Sequence, residues 1–278
     1  MFARMRLRLL ALIILVAAFA LFSSAASASH SWNGYHWART SNPFTLPLGD
    51  NLSSVWKPYL ATTSTDWSKS TVLDTQIVGG GANPRNCRPT SGRVEVCNAT
   101  YGSNGWLGLA QHWVSGSHIT QGATKLNDTY FNTATYNTSA WRNLVMCQEV
   151  GHTLGLDHQD ENFDNPNLGT CMDYTRNPST NQHPNQHDYD QLTAIYRHTD
   201  STSTVGSTSA ASRMPPQANQ GDFNTPAEWG QLVRRSPDRR LEKYVRDFGN
   251  GHRLFTFVIR ADTRPADTRS SEARPQSS

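Results

Sequence analysis

Eleven residues in the middle of the chain constrain its fold more than any other segment. They read Gln148-Glu149-Val150-Gly151-His152-Thr153-Leu154-Gly155-Leu156-Asp157-His158. They close a helix predicted over residues 139–154: Thr138 or Ser139 can cap its start, no proline or glycine interrupts it before Gly151, and Gly155 sits where a helix ends. Positions 148 and 152 lie four apart and share one helix face. Gly155 permits the left-handed backbone of a sharp turn, after which His158 returns towards that face. Glu149 is adjacent and can point into the same cleft. The spacing can place three ligands and one carboxylate around a single ion. A zinc with three protein ligands keeps a fourth position for water and lowers its pKa to roughly 7. Glu149 is then the candidate general base, passing the proton on to the leaving amine.

On these residues the chain resembles the metzincin zinc metalloendopeptidases (the matrixin, astacin and serralysin type), whose pattern is His-Glu-x-x-His-x-x-Gly-x-x-His followed by a Met-turn. Glu149, His152, Gly155 and His158 match at the family's spacing. Cys171-Met172-Asp173-Tyr174 begins 13 residues after His158 and is similar to the Met-turn. The resemblance implies an α+β catalytic domain with a twisted mixed sheet, a central active-site helix and a Met-turn. It implies His152 and His158 as Zn2+ ligands, Glu149 as catalytic base, Met172 as a floor beneath the metal, and Tyr174 as a stabiliser of the tetrahedral intermediate. It is sharp over residues 139–175 and loose over 32–138, where residues 113–126 are expected to supply the edge strand for an extended peptide.

The departure is Gln148, which stands where the family has its first zinc-binding histidine. An amide oxygen carries no charge and is a poorer donor than imidazole. Three accounts stay open: Gln148 ligates through its carbonyl oxygen, Asp157 or Asp160 supplies the ligand, or the site has lost metal and activity. Two functions follow. One is a secreted zinc metalloendopeptidase, monomeric, acting on protein or peptide substrates; the other is a catalytically inactive metzincin that binds a protein or peptide.

Residues 1–28 read as a secretory signal, with Arg4, Arg6 and Arg8 ahead of an apolar run at 9–22 and Ala26-Ser27-Ala28 at the cleavage point. The run is shorter than the roughly 20 residues of a membrane span, so no anchor is expected after cleavage. Three of the 25 basic residues fall in that segment, leaving 22 against 22 acidic in the mature chain. Such a balance offers nothing to nucleic acid or an acidic membrane surface. Four cysteines in an oxidising compartment favour two disulfides: Cys87 and Cys97 flank a short loop, leaving Cys147 and Cys171, which bracket the motif. The alternative is a thiol that binds metal.

The catalytic domain is expected over 29–198. A Ser/Thr/Ala/Pro/Gln-rich stretch at 199–226 reads as a disordered linker. Residues 227–261 read as a small β-hairpin module, with strands at 241–248 and 253–259 around Gly249-Asn250-Gly251, and 262–278 as a disordered tail. An isolated hairpin is marginal in water, so it must pair with residues 231–235 or dock on the main domain. Within the domain a helix is expected over 51–67, broken or begun near Pro58, with strands at 72–78, 93–99, 108–114 and 118–126. A further helix is expected over 190–197. The segment 84–89 around Cys87 has the wrong spacing and place for a latency cysteine. His183 and His187 straddle Pro184 and read as a solvated loop rather than a ligand pair. Asn51, Asn98, Asn127 and Asn137 begin glycosylation triplets.

Overall fold

A computed structural model describes residues 30–206 and 214–262; the expected signal segment, and the expected tail beyond Asp262, lie outside the described residues. The strands are β1 (His36–Trp37), β2 (Phe44–Asn51), β3 (Leu73–Gly79), β4 (Val94–Ala99), β5 (Trp106–Ser115), β6 (His118–Asn127), β7 (Gln231–Arg235), β8 (Leu241–Gly249) and β9 (His252–Arg260). The helices are α1 (Lys57–Trp67), α2 (Asp128–Phe131), α3 (Ser139–Thr153), α4 (Gln186–Ile195) and α5 (Pro226–Trp229). The result is an α+β fold on one mixed sheet, ordered β3-β2-β4-β6-β5-β9-β8-β7, with β1 pairing β6 outside that path.

Strands β2, β3, β4 and β6 run parallel, and β5 returns antiparallel along β6. Both faces of β5 are covered, so its sequence is almost continuously buried rather than alternating. Leu107, Ala110 and Val114 face a core shared with α1 and α3, whereas Trp106, Leu109 and Trp113 face a second core closed by Met214, Ala218, Phe223 and Trp229.

Several boundaries differ from expectation. The helix foreseen over 51–67 begins at Lys57, because residues 44–51 are taken by β2 and Pro58 belongs in a first turn, where its missing N–H costs nothing. The helix foreseen at 190–197 is α4, which starts earlier: Asn185 and Asp188 form a reciprocal capping box that places His187 in the first turn instead of a loop.

In the stretch expected as a linker, the described residues pack closely. The Asp200 carboxylate meets Arg39 Nη1 at 2.8 Å, and Trp113 Nε1 donates to Ala218 O at 2.9 Å. Lys125 is buried in β6 with Nζ donating to Asn224 Oδ1 at 2.9 Å, and burial pulls its pKa down to about 7. Composition gives no sign of this packing because the few anchors among the described residues, Phe223 above all, bury on a face the sheet already offers; residues 207–213 of the expected linker lie outside the described residues.

Strands β7–β9 continue the same sheet instead of standing apart. β9 pairs antiparallel with β5 from Trp106 to Ser115, so residues 113–126, expected to hold an open edge, contain none: β6 is interior and β5 is paired on both sides.

Candidate active site

Helix α3 carries the motif as its last turns. Thr138 Oγ1 accepts from Trp141 N at its start. Gly155 turns the chain with φ +98°, and a Cβ there would stand 2.4 Å from Tyr35 O. Both expectations for this helix, the cap and the glycine turn, are therefore met. Gly151 leaves room for Met172, whose Sδ would lie 2.7 Å from a Cβ at that position, so the buried methionine sits directly against the helix. The Cys147–Cys171 and Cys87–Cys97 disulfides are both formed, and the first ties α3 to the Met172 segment.

His152 and His158 come together. His152 Nδ1 donates to Leu156 O at 2.9 Å, which leaves Nε2 as the lone-pair nitrogen. That nitrogen lies 2.8 Å from His158 Nε2, and Tyr174 Oη lies 2.7 Å from the same His158 atom. Behind the His158 ring, Nδ1 faces Asp157 Oδ1 at 3.4 Å and Glu161 Oε1 at 3.8 Å. Burial, then repulsion from His158, keeps His152 well below the usual imidazole range, while burial pushes Tyr174 well above its ordinary value.

Glu149 is fully buried, with Oε2 unpaired among the described residues. Burial holds its carboxyl well above the usual carboxylate range. It reaches this position because Gly108 of β5 has no side chain: a Cβ there would come within 3.0 Å of Glu149 Oε1.

Gln148 Nε2 donates to Cys171 O at 2.8 Å, leaving Oε1 buried without a partner among the described residues. The two acidic alternatives are occupied elsewhere. Asp157 lies on the Nδ1 side of His158, accepting from His158 N at 2.7 Å and from Lys243 Nζ. Asp160 accepts from Asn162 N and Asn165 Nδ2.

A metal ion fits this set on one observation. His152 Nε2 is a bare lone pair, and one proton on His158 Nε2 cannot satisfy both that lone pair and the Tyr174 contact as an acceptor. Two imidazole nitrogens therefore converge with a hydroxyl, and Gln148 Oε1 and Glu149 Oε2 on α3 are buried without a partner among the described residues. Their 2.8 Å separation is shorter than the roughly 3.3 Å between two ligands of a tetrahedral zinc at ordinary bond lengths.

Four residues of the site were not foreseen. Phe257 of β9 stacks on His152 with ring centroids 4.3 Å apart and planes 11° from parallel. Lys243 of β8 is buried, with Nζ reaching Asp157 and, at 3.0 Å, Glu161 Oε1. His112 of β5 packs near Phe257, and burial pulls its pKa down to about 3. Each of Phe257, Lys243 and His112 reaches the motif across at least 40 positions of sequence, and local pattern carries no signal for such contacts. Glu161 is the exception, three residues after His158.

No protein-family model matches the chain, and no curated protein is similar to it in sequence. Solved structures to which the chain is similar include the following three. One is high choriolytic enzyme 1, a hatching-enzyme zinc protease from the medaka fish Oryzias latipes. That match has a TM-score of 0.34 and 13% identity, over 60% of this chain and 96% of that one. Two are structures of myroilysin, with TM-scores of 0.32 and 0.33 and identities of 11% and 13%. Each covers 63% of this chain, and 97% and 98% of its own.

Proposed function

We propose that this chain is a secreted zinc-dependent endopeptidase of metzincin type. The observation that carries the reading is the convergence of His152 Nε2, His158 Nε2 and Tyr174 Oη within 2.7–2.8 Å contacts, beside the buried carboxyl of Glu149. His152 and His158 would hold the metal through Nε2, with Gln148 Oε1 as the available third donor and Met172 beneath. Bound there, zinc supplies Lewis acidity towards the scissile carbonyl and a water acidified to about pKa 7.

Every other part belongs to the chain. Glu149 accepts the proton of the attacking water and returns it to the leaving amine. Tyr174, whose hydroxyl has no acidic tendency in this setting, donates a hydrogen bond to the oxyanion. Leu156 O and the Asp157 carboxylate hold the two imidazole rings in orientation from behind. Two disulfides suit an oxidising compartment, and no helix among the described residues is long and apolar enough to cross a membrane.

A second reading, a non-cleaving peptide-binding module, is favoured by one feature. Phe257 lies flat on His152, and β9 takes the edge of β5 that an extended peptide would otherwise pair with. Metal analysis and two variants separate the two. The endopeptidase reading expects zinc bound at His152 and His158, lost in His152→Ala, and a Glu149→Gln variant that keeps that zinc while losing cleavage of an unfolded protein substrate. Wild-type protein that folds without binding zinc at these histidines overturns it. Gln148→His should tighten zinc binding if Gln148 occupies a ligand position; unchanged affinity would place the third donor elsewhere.

A further inference from the structure

A second cluster of imidazole and carboxylate groups lies away from the motif, where three separate stretches of chain meet. His36 comes from β1, His118 opens β6, and His198 and Asp200 follow α4. Three histidine nitrogens point at one carboxylate oxygen: Asp200 Oδ1 is 3.2 Å from His118 Nε2, 3.5 Å from His36 Nε2 and 3.8 Å from His198 Nε2. His198 Nε2 is in turn 3.2 Å from His36 Nε2.

The groups behind these atoms fix their state. His36 Nδ1 lies 2.7 Å from Gly34 O, a contact in which only the nitrogen can donate, so the Nε2 of neutral His36 presents a bare lone pair to Asp200. The other oxygen of Asp200, Oδ2, is taken by Arg39, through Nη1 at 2.8 Å and the backbone N–H at 3.2 Å. Oδ1 is thereby left to face the imidazoles. A lone-pair nitrogen and a carboxylate oxygen at 3.5 Å repel one another unless a proton or a metal ion lies between them.

The mutual separations match a metal site. Two ligands of a tetrahedral zinc, at bond lengths near 2.0–2.1 Å, stand about 3.3 Å apart. His36, His198 and Asp200 offer three ligand atoms at 3.2, 3.5 and 3.8 Å from one another. A metal-ligating histidine characteristically donates its other N–H to a carbonyl, as His36 does to Gly34.

We propose that His36, His198 and Asp200 form a second divalent metal site of zinc type, separate from the His152–His158 centre. Its role is structural. It ties β1 to the chain after α4, while His118 at the start of β6 contacts the same carboxylate at 3.2 Å and Arg39 supplies the charge that holds it in place.

The test uses the full-length protein with Zn2+ and Co2+ as probes. His198 is half-exposed, so His198→Ala removes a ligand without opening the core. The expected result is that His198→Ala binds one zinc fewer than wild type, loses the visible band of tetrahedral Co2+ attributable to that ion, and no longer melts at lower temperature when chelator is added at this site's affinity. The double variant His152→Ala/His158→Ala should still bind one zinc, and adding His198→Ala should abolish it. An unchanged zinc stoichiometry in His198→Ala overturns the proposal, as does a folded His152→Ala/His158→Ala protein that binds none. Neither outcome depends on whether the chain cleaves peptides.

Discussion

Replacing Lys243 by methionine keeps most of the side chain's length and removes only its charge. The ammonium lies between Asp157 and Glu161 with almost no exposure, and it sits over the rings of Trp32 at 5.1 Å and Phe257 at 5.5 Å. Deleting one partner of a buried ion pair costs about 3–5 kcal/mol, because the remaining charges stay buried without compensation. Here the loss is softened by Arg234, whose half-exposed guanidinium reaches Glu161 at 2.8 Å and Asp157 at 3.9 Å. The expected cost is therefore at the lower end, about 3 kcal/mol, or about two orders of magnitude in the folding equilibrium. Chemical denaturation at pH 7 measures it directly. The triple variant Lys243→Met/Asp157→Asn/Glu161→Gln removes all three charges and should recover most of the loss, since neutral groups carry no such penalty. A Lys243→Met protein less than about 1 kcal/mol weaker than wild type, or a triple variant as unstable as the single one, would refute the assignment of this triad as a buried, mutually dependent unit.

Other consequences follow from the same structure. Gly155→Ala should lose about 2–4 kcal/mol and weaken zinc binding, because φ is +98° and the new methyl would strike Tyr35 O, displacing His158; melting and zinc titration both report it. Removing the Cys147–Cys171 bridge by paired serine substitution should cost about 3 kcal/mol from its loop length, and should free Gln148 from Cys171 O. Thermal melts against the Cys87–Cys97 pair variant, which closes a shorter loop, give the comparison. Lys125 is held down at about 7, whereas an unfolded lysine titrates near 10.4. Between those values the unfolded chain binds more protons, so this group makes stability rise with pH from about 7 to 10. In Lys125→Met that rise should disappear from denaturation curves taken across the range; its persistence would place the titration elsewhere.

The part of the molecule legible in sequence is the part built from near neighbours. Helix α3, its Thr138 cap, the Gly155 turn and the meeting of His152 with His158 all follow from spacings of three to six residues, over which backbone geometry dictates where side chains point. The two disulfide pairings and strands β4 to β9 were legible for similar reasons, through loop length, alternation and turn residues. What only the tertiary structure decided depends on contacts across scores of residues. The surroundings of the candidate third donors are one case: Gln148 Nε2 donates to Cys171 O, leaving Oε1 without a partner among the described residues, and Asp157 accepts from Lys243, 86 positions away. The covering of the site by Phe257 is another, since a strand's own pattern says which face is apolar but not which edge it will join. The gathering of His36, His118, His198 and Asp200 is a third, because each is unremarkable in its own segment and acquires meaning only where β1, β6 and the end of α4 are brought together by the sheet.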